Sequence, residues 1–194
     1  MNKLANQALL GTGLTTNIKG IDAYSTTFAV GGLEDKIPSP NYSDVIRASV
    51  AQIRRNKVIG LTTDNYARPN IAIVHPDVAA IMDMEKDDNG QYLIIPFKTK
   101  DGSTVVARCT VVESDHITNA DTFYVLDGLK YHLDISTLHA TKLEWGFGTG
   151  DWENGRLTLR MSVRAVGWAR DNEKGAIVKG SFATAIAALL KPTS

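Results

Sequence analysis

The chain has 194 residues, 43% of them hydrophobic, with 21 basic and 21 acidic side chains and a formal net charge of zero. That length buries a real core in one domain or two small ones. The charge balance argues against a dedicated nucleic-acid binder, which carries a basic excess. One cysteine, Cys109, rules out an internal disulfide and suits a reducing compartment. The N-terminus carries no signal-type apolar stretch, and no apolar run reaches the ~18 residues of a membrane span.

In residues 1–20, Leu4, Ala8 and Leu9 suggest the end of a helix. Gly11-Thr12-Gly13 is a lone GxG with no strand before it, which reads as a turn. Residues 22–42 hold Gly31-Gly32, Pro38 and Pro40 and read as strand fragments and loop. A helix is expected over 44–55, with Ser43 as its N-cap. Val45, Ala48, Ser49, Gln52 and Ile53 lie along one side of it. Arg54, Arg55 and Lys57 near its end suit the negative pole of the helix dipole. Asp64 to Pro69 reads as loop.

Ile71, Ile73 and Val74 are apolar and β-branched, as a buried strand requires. Pro76 fits the first turn of a following helix, where a missing N–H costs nothing. His75 is placed to cap it. Val78, Ile81 and Met82 share its inner face, and Asn89-Gly90 supplies a left-handed stop. Asp101-Gly102 marks a hairpin between 92–98 and 104–112. Cys109 falls on that second strand as a small core residue. Short strands are expected at 123–126, 131–135 and 140–147, and Asn154-Gly155 is another hairpin turn.

From 156 to 165 the alternation is the clearest in the chain. Leu157, Leu159, Met161, Val163 and Ala165 face one way; Arg156, Thr158, Arg160, Ser162 and Arg164 face the other. This predicts one long half-buried strand with a cationic outer face. Residues 183–190 are apolar enough for one or two helical turns, ended by Lys191-Pro192.

No catalytic arrangement emerges. The four histidines make no metal spacing, His132 and His139 read as surface or packing residues, and no nucleophile elbow or P-loop is present. The acidic group Asp83, Glu85, Asp87 and Asp88 lacks the distal Glu of a calcium loop and reads as a solvated helix end. No cofactor and no metal are expected, and the chain reads as no enzyme. Arg156, Arg160 and Arg164 are spaced roughly 13 Å apart along a strand. They read as a solvated face, as a subunit contact meeting carboxylates, or as cations neutralising DNA without reading its sequence. Trp145, Trp152 and Trp168 border the same sheet with Phe147. An aromatic group beside arginines marks an interface, and core packing competes with that reading. The candidate interface residues are therefore Arg156, Arg160, Arg164, Trp145 and Trp152.

The most informative segment is Ile73 to Leu93, IVHPDVAAIMDMEKDDNGQYL. Its HP…KD…G…Y pattern resembles one found in the major capsid proteins of tailed phages. Other pieces follow in that family's order: Asn6 to Gly13 with Lys19-Gly20-Ile21, the 44–55 helix, Thr110 to Ser114, Phe123 to Gly128, and Ile177 to Phe182. The resemblance implies an α+β, HK97-like capsid fold lacking the N-terminal arm, the extended loop and most of the spine helix. It implies axial-type material over 20–128 plus 171–190, peripheral-type strands over 129–170, and a remnant following the spine helix over 1–19. Asn154 falls near the family's crosslinking asparagine, but the lysine's segment has no counterpart, so no crosslink is carried over.

The implied role is a structural subunit of a phage or prophage icosahedral capsid. Its partners are copies of itself in rings of five or six, with possible non-specific contact with packaged DNA and no membrane. Its place is the virion, or the bacterial cytoplasm during assembly. The alternatives are the shell of an encapsulin-type nanocompartment and a stand-alone small hydrolase or ligand-binding domain. A sheet over 129–170 without a helix to cover it exposes an apolar face, and self-association through that sheet is expected.

Overall fold

The computed structural model describes residues 2–14, 17–55, 67–87, 89–92, 103–137, 141–151 and 153–192. Its centre is a mixed six-stranded sheet in the order β1-β10-β5-β2-β4-β3. The strands are β1 (Thr26–Thr27), β2 (Ile71–Val74), β3 (Val105–Val106), β4 (Cys109–Glu113), β5 (Thr122–Leu126) and β10 (Ile177–Ser181). β5 lies between β10 and β2, antiparallel to both, while β2 runs parallel to β4.

Both faces of this sheet are covered, so its middle strands are apolar without a break. Phe123 and Val125 of β5, Ala72 and Val74 of β2 and Val178 of β10 enter one core with α2 (Tyr42–Arg55), α3 (Pro76–Met84) and α4 (Phe182–Leu189). Tyr124, Leu126 and Ile177 point to the opposite core. That side is closed by Leu9 of α1 (Asn2–Leu10) and by Tyr24, Ile117 and Ala169. Across the sheet, the Tyr124 hydroxyl donates to Asp22 Oδ1 at 2.8 Å, and Lys179 Nζ donates to the same oxygen at 2.5 Å. Burial, first, and then the adjacent Asp22 push the Tyr124 phenol well above its usual range.

The GxG turn after α1 has a steric cause. A Cβ at Gly11 would stand 2.0 Å from the Ile18 carbonyl oxygen, and one at Gly20 would stand 2.6 Å from the Gly11 nitrogen. Two backbones meet here at a distance only glycine permits.

Several local expectations are corrected. α2 begins at Tyr42, and Asn41 supplies the cap: its Oδ1 accepts from the Asp44 N–H at 3.0 Å. Ser43 lies buried inside the helix. In α3 the buried face is Val78, Ala79 and Met82, with Ile81 exposed. That helix ends at Met84, so Asp87 lies beyond it, its side chain accepting from the Asn89 and Gln91 N–H groups. The expected strand over 104–112 is broken by a two-residue turn, Ala107-Arg108, between β3 and β4. The Asp101-Gly102 turn, Asp88, His139 and Lys57 lie outside the described residues. His75 caps α3 as expected, Nδ1 accepting from the Asp77 N–H at 3.2 Å, and Cys109 is fully buried.

Residues 132–168 form two separate two-stranded sheets. β6 (His132–Ile135) pairs with β9 (Ala165–Trp168), and β7 (Lys142–Gly146) with β8 (Thr158–Ser162). The long strand expected over 156–165 is therefore two strands. It breaks at Val163-Arg164, where each half takes a different partner and the Ser136 N–H donates to the Arg164 carbonyl at 2.9 Å.

Candidate subunit interface

The β7–β8 hairpin carries the candidate interface residues. Its turn is held by Asp151, whose carboxylate accepts from the Gly148 N–H at 2.6 Å and from the Thr158 hydroxyl. Those two bonds, the hydroxyl's first, hold the Asp151 carboxyl below its usual range. Gly155 stands at φ 59°, the left-handed conformation that Asn154-Gly155 predicts.

Register decides what each face presents. Leu143 stands opposite Met161 and Trp145 opposite Leu159. Directly opposed residues share a face, so these four form one apolar ladder, which Phe147 and Leu157 extend past the strand ends. All six are exposed, Trp145 at 68% and Phe147 at 60%. The half-burial expected of this alternation is thus not found within the chain: the apolar face is present, but no layer of the described residues lies over it.

The other face is polar. Glu144 stands opposite Arg160, and Lys142 forms an ion pair with Glu144. The hydrogen bond from Lys142, then its charge, and last the charge of Arg160 hold the Glu144 carboxyl low. The three arginines do not make one row. Arg160 lies within β8, Arg156 in the turn and Arg164 at the break before β9, and all are exposed. Trp152 lies outside the described residues. Trp168 is held apart from the ladder on β9, where it stacks on His132 at 4.4 Å and its Nε1 donates to Asp134 at 2.6 Å.

Sequence reasoning singled out the cations and tryptophans of this region and passed over Leu143, which with Leu159 and Met161 makes the continuous face. The signal was available: Leu143, Trp145 and Phe147 alternate as regularly as the 156–165 run.

Among the described residues no group of three or more His, Cys, Asp or Glu side chains could hold a metal ion. No described helix is long and apolar enough to cross a membrane.

The sequence pattern of the phage capsid family matches residues 1–141. No curated protein matches the chain. Among solved structures, the capsid of an empty GTA particle superposes with a TM-score of 0.59 at 15% identity, covering 93% of this chain and 61% of that one. A chain of Gordonia phage Cozz gives 0.59 at 13% identity, covering 93% and 60%. A chain of Mycobacterium phage Ogopogo gives 0.56 at 16% identity, covering 90% and 59%. The chain therefore spans about three fifths of the length of the structures it matches, and at these identities the likeness is one of fold, the α+β capsid fold expected from the sequence.

Proposed function

This chain belongs to the phage capsid family, and from that premise we propose that it acts as a structural subunit of an icosahedral shell, with copies of itself as partners. The observation that carries the reading is the family match over residues 1–141. Its mechanism is geometric: complementary surfaces bury area and close into rings, and no bond is made or broken, so the chain is no enzyme. Its place is the virion capsid, with the bacterial cytoplasm as its place during assembly, and copies of it stand in rings of five or six in a full-length shell.

In this reading residues 20–128 with 171–190 are axial-type material, 129–170 are peripheral-type strands and 1–19 follow the spine helix. The six-stranded sheet, drawn from 26–126 and 177–181, and the two small sheets of 132–168 support that division. The ladder of Leu143, Trp145, Leu159 and Met161 is the subunit contact, with Arg160 on the opposite face of the same hairpin and Arg156 and Arg164 beyond the ends of β8. A two-stranded hairpin is marginal in water by itself, and a continuous apolar face on it calls for a cover. The cations around it make looser contacts that tolerate carboxylates or packaged DNA.

Light scattering coupled to size exclusion over a concentration series, with negative-stain imaging of large species, tests this. Rings or shells, or a concentration-dependent oligomer weakened by Trp145→Ala, are expected. A monodisperse monomer at high concentration would overturn self-association as the role of this chain.

A further inference from the structure

A second surface, remote from the hairpin ladder in sequence, gathers three arginines. Between the second half of α2 and the β3–β4 turn runs a groove of about 510 Å³ lined by Arg47, Val50, Ala51, Arg54, Ala107 and Arg108. Its lining combines the apolar side chains of Val50, Ala51 and Ala107 with three arginines from two separate elements. Among the described residues Arg47 alone of the three forms an ion pair, with Asp44 at 3.6 Å. Arg54 and Arg108 are exposed and form no ion pair among the described residues. Arg54 lies close enough to the hairpin that its charge opposes the burial that lifts the Cys109 thiol to about 11.

The turn that carries Arg108 is itself unusual. Ala107 stands at φ 51° and Arg108 at φ 72°. A two-residue hairpin turn with both residues left-handed is normally Asn-Gly or Asp-Gly. Ala and Arg each carry a Cβ that crowds the backbone in this conformation, so the turn is strained. Strain of this kind persists where the surroundings demand it, and here it holds a guanidinium at the mouth of the groove.

We propose that this groove is a heterologous subunit contact, and that it receives a carboxylate-bearing segment of a second copy of this chain. The proposal rests on the capsid reading above and adds to it a site and a chemistry. Two observations select a protein over a nucleic acid. The chain as a whole is neutral, with 21 acidic residues to meet its 21 basic ones, so copies of it offer the complementary charge. A lining that mixes apolar side chains with arginines is the composition of a protein interface, whereas a phosphate track needs cations alone. Arginine suits the role because its planar fork binds a carboxylate through two parallel hydrogen bonds.

Two measurements on the whole chain test it. In sedimentation velocity, Arg54→Glu/Arg108→Glu is expected to weaken self-association at least about tenfold with unchanged circular dichroism, while Arg54→Lys/Arg108→Lys, which keeps the charge and loses the planar fork, associates more weakly than wild type and more tightly than the Glu variant. Wild-type association that falls with added salt is also expected. In the second measurement, ¹⁴N- and ¹⁵N-labelled copies of the double Lys variant are mixed and treated with a carbodiimide, which joins an amine to a carboxylate only at contact. Peptides joining positions 54 or 108 of one label to an Asp or Glu of the other are expected. Three results would overturn the proposal. If the wild type never associates, the capsid reading of this chain falls with it. If it associates and the Glu variant associates equally well, the groove assignment alone falls. If the Glu variant associates normally and instead loses binding to a labelled DNA duplex, the groove belongs to nucleic acid.

Discussion

β5 and β8 are both five-residue strands in one chain, and they stand at opposite ends of what a strand can do. β5 (TFYVL) has four of its residues fully buried, because helices cover one face of its sheet and α1 with the Tyr24 turn covers the other. β8 (TLRMS) alternates more cleanly, yet four of its residues are exposed. A regular pattern marks which side chains share a face; it does not supply the layer that buries them. Where the chain provides that layer, the apolar face becomes core. Where the described residues do not, the face stays in solvent, and the role proposed above assigns it to a second subunit.

The largest expected effect lies on the covered side. Phe123→Ala removes a ring packed 4.7 Å from Phe182 and 5.7 Å from Phe28, at a site with no exposure. It is expected to destabilise by about 3–5 kcal/mol in denaturant unfolding. A loss below about 1 kcal/mol would mean that this core is loose and that the contrast between the two strands is overdrawn.

Ser181→Ala comes next. Ser181 ends β10 and caps α4, accepting from the Thr184 N–H at 3.3 Å and donating to the Asp121 carboxylate. A loss of about 1 kcal/mol is expected, measured the same way, since Asp121 still accepts from the Ala183 N–H at 2.8 Å.

Glu85 gives a smaller effect with a sign that depends on pH. Burial, first, and then the nearby Asp44 raise its pKa, while a backbone hydrogen bond from Tyr42 partly opposes this. A carboxyl whose folded pKa lies above its unfolded value binds its proton more tightly in the fold. Its contribution is therefore most favourable below the unfolded pKa and is lost as pH rises through the folded one. Glu85→Gln is expected to raise the melting temperature at pH 7 and to leave it unchanged near pH 3. An equal gain at both would show that the charge is not the cause.

The smallest effect on folding belongs to the uncovered side. Trp145→Ala is expected to change unfolding of the dilute monomer by no more than about 0.5 kcal/mol, because the ring is mostly in solvent. Its effect appears in association instead. If Trp145→Ala destabilises the monomer as Phe123→Ala does, the hairpin face is already packed within one chain, and the distinction between the two regions collapses.

Much of this was legible in the residues. β2, α3 and its His75 cap, β5, α4 and the Asn154-Gly155 turn follow from local rules: β-branched runs, proline at a helix start, glycine at a left-handed turn. Each rule acts within a few residues, so the chain states it directly. Of the candidate interface, Trp145 and Arg160 do share one hairpin, though on opposite faces, as their alternation implies.

What the chain alone did not determine was pairing and cover. The run over 156–165 reads as one strand because alternation records a face and is silent on partners. β8 and β9 separate because hydrogen bonding to β7 and to β6 pulls them into different sheets. The Ala107-Arg108 turn was hidden because neither residue favours a left-handed backbone, and only the pairing of Val106 with Cys109 forces it there. Helical spacing puts Ile81 with Val78 and Met82, yet it lies outward because α3 is buried through Val78, Ala79 and Met82. Sequence determines which side chains travel together over a few residues; contacts distant in the chain determine what they meet, because burial is a property of two surfaces and the sequence of one element describes only its own.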